Sequence, residues 1–539
     1  MKRLYYNGKF YLESGKFAEA VLCDGEFITR IGQREDLKTL AFDEAIDLKG
    51  RTVLPGLNDS HCHVSAIGAS YVQVDLYNCR STQEIVEACR EFIEKNPELC
   101  ENGLRSMGWN QDLFAEGERF LLTKKELDQI STEIPISLQR VCGHVTSVNT
   151  KLMEIAHVDV NTPSPEGGTI EKDEKGEPNG IFTENAIHWI ESFVPGYSDE
   201  VKEEFTIRAL QHAQSLGLTS VQGNEVGGPN TTGEFRIFRK IYEEGKAKIR
   251  FRHQICFDGL EDMDTFLEGE AKEPIYKEGR LALGPVKMFK DGSLGGYTAL
   301  LKNGYRGNPE NKGVPVMDYP FQESFVKGVA DRGWQVITHV IGDQAAEETL
   351  DAYESSFGEE GNTLRHGLVH LQITDRALME RVAKLNITAF YQPIFLDYDM
   401  HIVEERVGSE LAATSYAFKT AEDLGIHVSY GTDAPVESLN PFPNIYSAVT
   451  RCDLKGFPEG GFVPQEKVTL EQAIDAYTTG SAYCEFKEDI KGRIKEGFLA
   501  DFTVLDRDIF TIKTGEIKEI KAAMTIIGGE VVFKQDETL

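Results

Sequence analysis

Residues 52–63 have the sequence Thr-Val-Leu-Pro-Gly-Leu-Asn-Asp-Ser-His-Cys-His. The apolar start of this stretch predicts a buried β-strand, and His61 and His63 stand at its end. Residues two apart on a strand share a face, so both imidazoles point the same way. Two neutral imidazoles that converge from one side are half of a metal site. Two surface histidines would give the same spacing. The rest of the chain has to decide between a metal site and this alternative.

Four further segments deliver a metal-type side chain from a predicted strand. In a parallel (β/α) barrel the active site forms at the carboxyl ends of the strands. A set of four histidines, one lysine and one aspartate at such ends fits a two-metal hydrolytic site. The segments are residues 283–289 with Lys287, 334–339 with His339, 368–370 with His370 and 427–433 with Asp433.

The centre of the chain, residues 57–489, alternates strand signals with helix signals. This alternation indicates βαβ units and a parallel sheet. Eight strands with intervening helices predict an α/β fold closed into a (β/α)₈ TIM barrel. The predicted strands lie near residues 57, 221, 253, 287, 338, 369, 390 and 431.

The two ends of the chain have a different pattern from the centre. Residues 1–56 and 490–539 contain short strands separated by glycine turns, such as Asp24-Gly25. We expect them to pair into one small β-sandwich side domain. Residues 64–215 separate the first barrel strand from the second and are rich in turn residues. We expect an inserted subdomain there, over the barrel mouth, where it would shape a substrate pocket.

Composition restricts the class of partner. The chain has 539 residues and a net charge of −31, which disfavours nucleic acid or an anionic membrane as a partner because both require a basic surface. It has no apolar run of about 20 residues and no apolar leader. Its nine cysteines are dispersed without a Cys-x-x-Cys motif. These features predict a cytoplasmic protein with a small-molecule substrate, and they leave a homo-oligomer possible.

The segments around these residues resemble the amidohydrolase superfamily and, more narrowly, amidohydrolase family 3, the branch that contains N-substituted formamide deformylases. Two positions depart from the family pattern, because Val369 and Cys142 stand where an acidic residue is usual. Neither departure removes a proposed ligand, but Val369 affects a position that would tune the metal site. The resemblance rests on residues 55–63, 287–295, 339–343, 365–370, 431–436 and 492–501.

The resemblance implies a ligand for each position. His61 and His63 would bind the more buried of one or two divalent ions, most simply zinc, and His339 and His370 the second. Lys287 would react with CO₂ to form a carbamate that bridges two ions. Glu184 is the rival bridge, because some relatives use a carboxylate there. A lysine paired with an acid such as Asp291 is the ordinary alternative.

The resemblance also implies a catalytic role for Asp433, and the places of three other residues in the predicted fold suggest substrate contacts. Asp433 would both bind a metal and carry a proton from the attacking water to the leaving group. The ordinary alternative for an aspartate after a strand is the N-cap of a helix. Trp109, His144 and Gln392 are candidate substrate contacts, with packing as the alternative.

Together these features predict a metal-dependent hydrolase of a C–N bond of the amide or N-formyl type. An ester, lactone or phosphotriester hydrolase would use the same metal chemistry. A metal-binding barrel without catalytic activity is the alternative from another class of protein. The substrate itself is not encoded in these motifs.

Overall fold

The computed structural model describes residues 1–115, 117, 120–140, 145–165, 168–194, 196–225, 232–277 and 279–535. Within them the chain forms two compact units. One unit combines Met1–Ile67 with Ile207–Leu539, and the other is Gly68–Thr206.

The strands of both units are numbered here along the chain. They are β1 (Lys2–Glu13), β2 (Lys16–Asp24), β3 (Phe27–Gly32), β4 (Glu44–Asp47), β5 (Thr52–Pro55), β6 (Leu57–Cys62), β7 (Leu104–Trp109), β8 (Ile136–Arg140), β9 (Val145–Val148), β10 (Gly168–Lys172), β11 (Pro178–Glu184), β12 (Leu218–Gly223), β13 (Arg250–Ile255), β14 (Leu281–Phe289), β15 (Val336–Val340), β16 (Gly367–His370), β17 (Thr388–Tyr391), β18 (Val428–Tyr430), β19 (Phe502–Leu505), β20 (Ala522–Ile527) and β21 (Glu530–Lys534).

The α-helices are numbered in the same way. They are α1 (Arg34–Leu37), α2 (Val64–Ser70), α3 (Thr82–Lys95), α4 (Pro97–Cys100), α5 (Lys124–Leu127), α6 (Thr150–Ile155), α7 (Asn185–Glu191), α8 (Asp199–Ser215), α9 (Thr232–Glu243), α10 (Leu260–Glu268), α11 (Tyr319–Asp331), α12 (Asp343–Ser356), α13 (Arg376–Lys384), α14 (Leu396–Asp399), α15 (Val403–Val407), α16 (Ser409–Ala412), α17 (Phe418–Asp423), α18 (Pro441–Thr450), α19 (Leu470–Asp475) and α20 (Ser481–Cys484).

The larger unit is built on an eight-stranded sheet in the order β18-β17-β16-β15-β14-β13-β12-β6. All its strand pairs are parallel. Several of the strands, including β6, β12, β16 and β17, are buried along their whole length, as expected where both faces of a parallel sheet are covered. The predicted α/β fold with eight parallel barrel strands is therefore confirmed.

The sheet curls so that its first and last strands approach each other. The backbone N–H of Asp433 donates to the carbonyl of His61 at 2.8 Å, and the N–H of His63 donates to the carbonyl of Ala434 at 2.8 Å. These bonds join the segments that follow β6 and β18. The barrel is thus nearly closed, and the closing seam carries three of the predicted ligands.

Both chain ends contribute to a second eight-stranded sheet of this unit. Its order is β21-β20-β19-β5-β1-β2-β3, with β4 paired to β1. A core of buried side chains, including Phe10, Val53 and Phe502, packs against it. The pairing gives one continuous sheet, and its arrangement as a sandwich stays a prediction.

The smaller unit, Gly68–Thr206, contains a five-stranded sheet in the order β10-β11-β9-β8-β7. Apolar side chains of α3 and β7, such as Ile85 and Leu104, lie in one of its core clusters. The predicted insertion at residues 64–215, with its role over the barrel mouth, stays a prediction. Among the described residues, no helix is both long enough and apolar enough to cross a membrane.

Candidate metal centre

His61, His63 and Asp433 meet at the closing seam of the barrel. Oδ1 of Asp433 lies 3.2 Å from Nε2 of His61 and 3.0 Å from Nε2 of His63. All three ligand atoms lie within 4.8 Å of one another. Ligand atoms about 2.0–2.2 Å from a tetrahedral zinc ion are themselves about 3.3 Å apart. The three atoms therefore have a spacing that one ion fits.

The backbone holds two of the predicted ligands in an unusual conformation. Asp433 has φ 57° and His370 has φ 76°, and Leu371 after it has φ 45°. A non-glycine residue in this left-handed region costs about 1–3 kcal/mol and persists only where the surroundings enforce it. Strain at two strand ends that both carry predicted ligands is typical of a functional site.

Hydrogen bonds fix the tautomers of three imidazoles. Nδ1 of His61 is 2.6 Å from Oε1 of Gln254, and Nδ1 of His63 is 2.6 Å from the carbonyl oxygen of Asn224. Nδ1 of His370 is 2.6 Å from Oε1 of Gln392. Each acceptor requires a proton on Nδ1, so each Nε2 keeps a free lone pair. That is the form in which histidine binds a metal.

His339 is held by the opposite nitrogen. Its Nε2 donates to the carbonyl of Gly292 at 3.1 Å, which leaves Nδ1 with the lone pair. Its ring centroid lies 4.5 Å from that of His370, and His370 lies 5.8 Å from His61. The four predicted histidines therefore form one contiguous group at the carboxyl ends of β6, β15 and β16.

Lys287 projects from β14 into this group without a hydrogen-bond partner among the described residues. Its Nζ lies 3.7 Å from the ring centroid of Phe289. Burial lowers the pKa of Lys287 to about 8. The two carboxylate oxygens of Asp291 instead accept the backbone N–H groups of Leu300, Ile341 and Gly342. The ordinary alternative, a Lys287–Asp291 ion pair, is absent from the described residues.

Electrostatics favour the neutral form of His61 and His339 and the ionised form of Asp433. His63 differs, because burial would lower its pKa but contact with Asp433 raises it. Burial lowers the pKa of His61 to about 4 and that of His339 to about 3, and the charge of Lys287 adds to both effects. Burial alone would raise the pKa of Asp433, but its contacts with His61 and His63 outweigh it and hold that pKa well below the usual range. Neutral nitrogen donors with an anionic oxygen are the donor set of a divalent transition ion.

Buried acids and amides that the sequence patterns did not single out support the ligands. Asp59 accepts from the N–H and hydroxyl of Thr432 and from the N–H of His61. Glu225 accepts from the N–H groups of Val64 and Ser65, directly after the His-x-His segment. Asp59 stands inside the first quoted stretch, so its position was visible there. Gln254 lies within β13 and Glu225 follows β12, and neither strand was predicted to carry a ligand.

The remaining predicted contacts have different outcomes. Gln392 is buried, its Oε1 bonds His370 and its Nε2 donates to the carbonyl of Phe390 at 3.1 Å, so the structure gives it a role in orienting a ligand. Trp109 is fully buried in the core of the smaller unit, with Nε1 donating to the carbonyl of Leu138. No part of the Trp109 side chain is exposed to a substrate. The structure therefore agrees with the alternative that Trp109 packs in a core. His144 and the side chain of Glu184 lie outside the described residues.

Asp433 is not the N-cap of a helix. The next helix in the chain, α18, begins eight residues later and is capped by the side chain of Asn440. The carboxylate is instead directed at His61 and His63. The ordinary alternative for Asp433 is therefore excluded.

Comparisons with known proteins agree with this site. A family model described as the amidohydrolase family matches residues 44–533. "Putative amidohydrolase YtcJ" of Bacillus subtilis (strain 168) is 33% identical over 99% of this chain and 100% of its own length. N-substituted formamide deformylase of Arthrobacter pascens is 24% identical over 96% of this chain and 95% of its own. A solved structure, an uncharacterized metal-dependent hydrolase from Pyrococcus furiosus, has a TM-score of 0.78 at 28% identity and covers 94% of this chain and 99% of its own.

The barrel and its His/Asp site define a metal-dependent hydrolase. The chain belongs to the amidohydrolase family, because the family model spans nearly its whole length. The predicted family resemblance is therefore confirmed.

Proposed function

We propose that this protein hydrolyses the C–N bond of a small amide or N-formyl amine, using one or two divalent ions, most simply zinc. The observation that carries the proposal is the tautomer pattern. His61, His63 and His370 each have Nδ1 held by an oxygen acceptor, and Nε2 of His61 and of His63 is turned towards Oδ1 of Asp433. The net charge of −31 favours a neutral or cationic small molecule over nucleic acid or an anionic membrane.

A divalent ion held by these residues would polarise the substrate carbonyl and lower the pKa of water towards about 7. Asp433 would accept the proton that the attacking water loses and return it to the leaving nitrogen. The bond between the carbonyl carbon and water oxygen forms, the C–N bond breaks, and the products are a carboxylic acid and an amine. The position of Asp433 supports this role, because its Oδ1 lies 3.2 Å from Nε2 of His61 and 3.0 Å from Nε2 of His63, beside the place where these histidines would hold an ion.

For Lys287 we propose reaction with CO₂, in which the neutral amine loses a proton and forms a carbamate. Two features support it: Nζ is buried without a hydrogen-bond partner in the described part of the chain, and burial lowers its pKa, which raises the fraction of neutral amine. A carbamate would replace a costly buried cation with an anion whose two oxygens can serve two ions. Glu184 remains the rival ligand for this position.

The test combines metal analysis with a product assay. We expect purified protein to contain one or two equivalents of zinc or a similar ion, and to release amine from some member of a panel of N-formyl amines and simple amides. Matched formate esters and lactones form the control panel. Turnover of the esters alone would move the protein to the ester-hydrolase alternative. Bound metal with no turnover of either panel would favour a barrel that only binds metal.

A further inference from the structure

A cavity of about 470 Å³ lies at the amino-terminal ends of β12, β13 and β14, at the opposite end of these strands from the metal centre. Its lining comes from these strands, from the side sheet at Phe27 and Leu499, and from residues after α20 such as Lys491. Its volume is in the range of pockets that hold small ligands. It shares no lining residue with the metal centre.

The charge of this cavity contrasts with that of the protein. Among its described lining residues are three lysines and two arginines but two carboxylates, Glu26 and Glu485, in a chain with a net charge of −31. A local excess of cations in a strongly acidic protein focuses a positive potential on a small volume. An anion is the ligand that such a potential favours.

Two of the five cations are already neutralised. Arg250 makes a two-point ion pair with Asp501, with Nε at 2.7 Å from Oδ2 and an Nη nitrogen at 3.1 Å from Oδ1. Lys491 lies 2.9 and 3.1 Å from the two oxygens of Glu485. These pairs account for the buried charges on either side of Arg252, but not for Arg252 itself.

Arg252 has no carboxylate partner within hydrogen-bond distance among the described residues. Its one short bond runs from Nη1 to the carbonyl of Cys484 at 2.8 Å. The bonds to the carbonyl of Leu283 and to Oε1 of Gln335 are both long, at 3.4 Å. Burial lowers the pKa of Arg252, and the charge of Glu485, which acts in the opposite direction, does not fully offset this effect. A guanidinium carries five N–H donors, and these three bonds leave two of them for an added acceptor.

Two further features of the wall describe the ligand. The hydroxyl of Ser220, a lining residue that is almost fully buried, has no partner among the described residues. The apolar part of the wall includes Phe251, Tyr276 and Leu499. An arginine with free donors beside an apolar wall matches a planar carboxylate attached to an apolar or aromatic body.

We propose that this cavity is a binding site for a small organic carboxylate with an apolar body, and that the guanidinium of Arg252 is its counter-ion. The proposal is independent of the hydrolytic function proposed above, because none of its residues takes part in the metal centre. It predicts selectivity for a carboxylate over the matching neutral amide.

The test uses the metal-loaded enzyme and 4-bromobenzoate. Titration calorimetry should show saturable binding that is at least about 10-fold tighter than for 4-bromobenzamide, because bonds between charged partners are the stronger ones. In crystals soaked with the same probe, the anomalous signal of bromine should appear in the cavity. Equal binding of acid and amide, or bromine at the metal centre alone, would overturn the proposal.

Two variants separate the site from the rest of the protein. Arg252→Met should weaken 4-bromobenzoate at least about 10-fold, whereas Arg332→Met, which breaks the Arg332–Asp264 pair away from the cavity, should not. If Arg252→Met fails to fold, Ala282→Phe fills the cavity without removing a charge and should cause the same loss. A folded variant of either kind that binds the probe as tightly as the natural protein would contradict the assignment.

Discussion

Nδ1 of His370 lies 2.6 Å from Oε1 of Gln392, and the amide nitrogen of Gln392 donates to the carbonyl of Phe390 at 3.1 Å. The second bond fixes which end of the amide faces the imidazole. Because the oxygen faces Nδ1, His370 carries its proton there and presents Nε2 to the site. The end of β17 thus sets the chemical form of the side chain at the end of β16.

Gln392→Leu removes both bonds and is expected to weaken metal binding about 10–100-fold, the usual effect of losing the group that orients a ligand. Competition with a chromogenic chelator measures the affinity. Gln392→Glu keeps an acceptor beside Nδ1 and should recover most of it. Gln322→Leu, which removes another buried amide bonded to Thr349, is the control and should leave metal affinity unchanged. A raised KM with unchanged metal affinity in Gln392→Leu would instead support the predicted substrate contact.

Lys287→Met should stabilise the metal-free protein while it weakens metal binding. Lys287 is buried, and none of the residues that the structure describes forms a hydrogen bond with it. Its pKa of about 8, against an ordinary 10.5, corresponds to at most about 3 kcal/mol of destabilisation at neutral pH. Urea unfolding in the presence of EDTA measures the change. Lys290→Met is the matched control, because Lys290 is equally buried but pairs with Glu348 at 2.6 Å. Lys290→Met should lower the free energy of unfolding. If Lys287→Met lowers it as well, Lys287 has a partner in solution.

The barrel was predictable because buried parallel strands leave a strong local signal. Apolar runs bounded by turn residues marked all eight strands: the predicted centre near residue 338 falls in Val336–Val340, and the one near 431 adjoins Val428–Tyr430. Metal-type side chains at the ends of these runs then marked the candidate ligand positions. The interpretation needed only residue type, period and order along the chain.

The interactions that orient the ligands could not be read in this way. Gln254 and His61 are 193 positions apart, and nothing in the local pattern of β13 distinguishes Gln254 from an ordinary strand residue. Trp109 shows the same limit, because an aromatic residue after a strand is compatible with either a pocket or a core. Only the burial of its whole side chain decides for the core.

Asp399 is expected to make the fold less stable at neutral pH than in mild acid. Burial raises the pKa of Asp399 to about 6 from 3.8, although Tyr416 and Gln372 donate to it. A carboxyl with a raised pKa binds a proton more readily when folded, so it destabilises the fold at pH 7. The destabilisation that Asp399 causes should therefore be relieved as the pH falls from about 7 to about 4, which raises the free energy of unfolding by at most about 3 kcal/mol.

Asp399→Asn should remove this contribution, so its stability relative to the natural protein should be highest at pH 7 and fall towards pH 4. Asp453→Asn is the opposite control. Burial would raise the pKa of Asp453, but N–H groups of Phe457 and Lys455 outweigh it and lower the pKa. The Asp453 carboxylate therefore stabilises the fold at neutral pH, and this stabilisation is lost in acid when the carboxylate is protonated. Parallel pH profiles for the natural protein and Asp399→Asn in urea unfolding would rule out the assignment.

The ion pair between Arg250 and Asp501 joins β13 to the segment just before β19, and both side chains are buried. Asp501→Ala leaves the guanidinium buried without its main partner and should lower the free energy of unfolding by about 3–5 kcal/mol. The double variant Arg250→Met with Asp501→Leu should recover most of that loss. Asp264→Ala, at an exposed ion pair, is the control and should have little effect. Equal, small effects of both aspartate variants in urea unfolding would show that the buried pair does not hold these segments together.

Asp433→Asn tests the proton-transfer role. Asparagine tolerates the left-handed backbone found at φ 57° and still offers an oxygen to a metal, so the fold and much of the metal content should survive. It cannot accept a proton at neutral pH, so kcat for amine release should fall at least about 10²-fold. Asp375→Asn is the control, because Asp375 is an ordinary helix N-cap that accepts from the N–H of Leu378, and its variant should keep kcat. Near-natural kcat with full metal content in Asp433→Asn would assign the proton transfer to another group, and His144 would be the next residue to substitute.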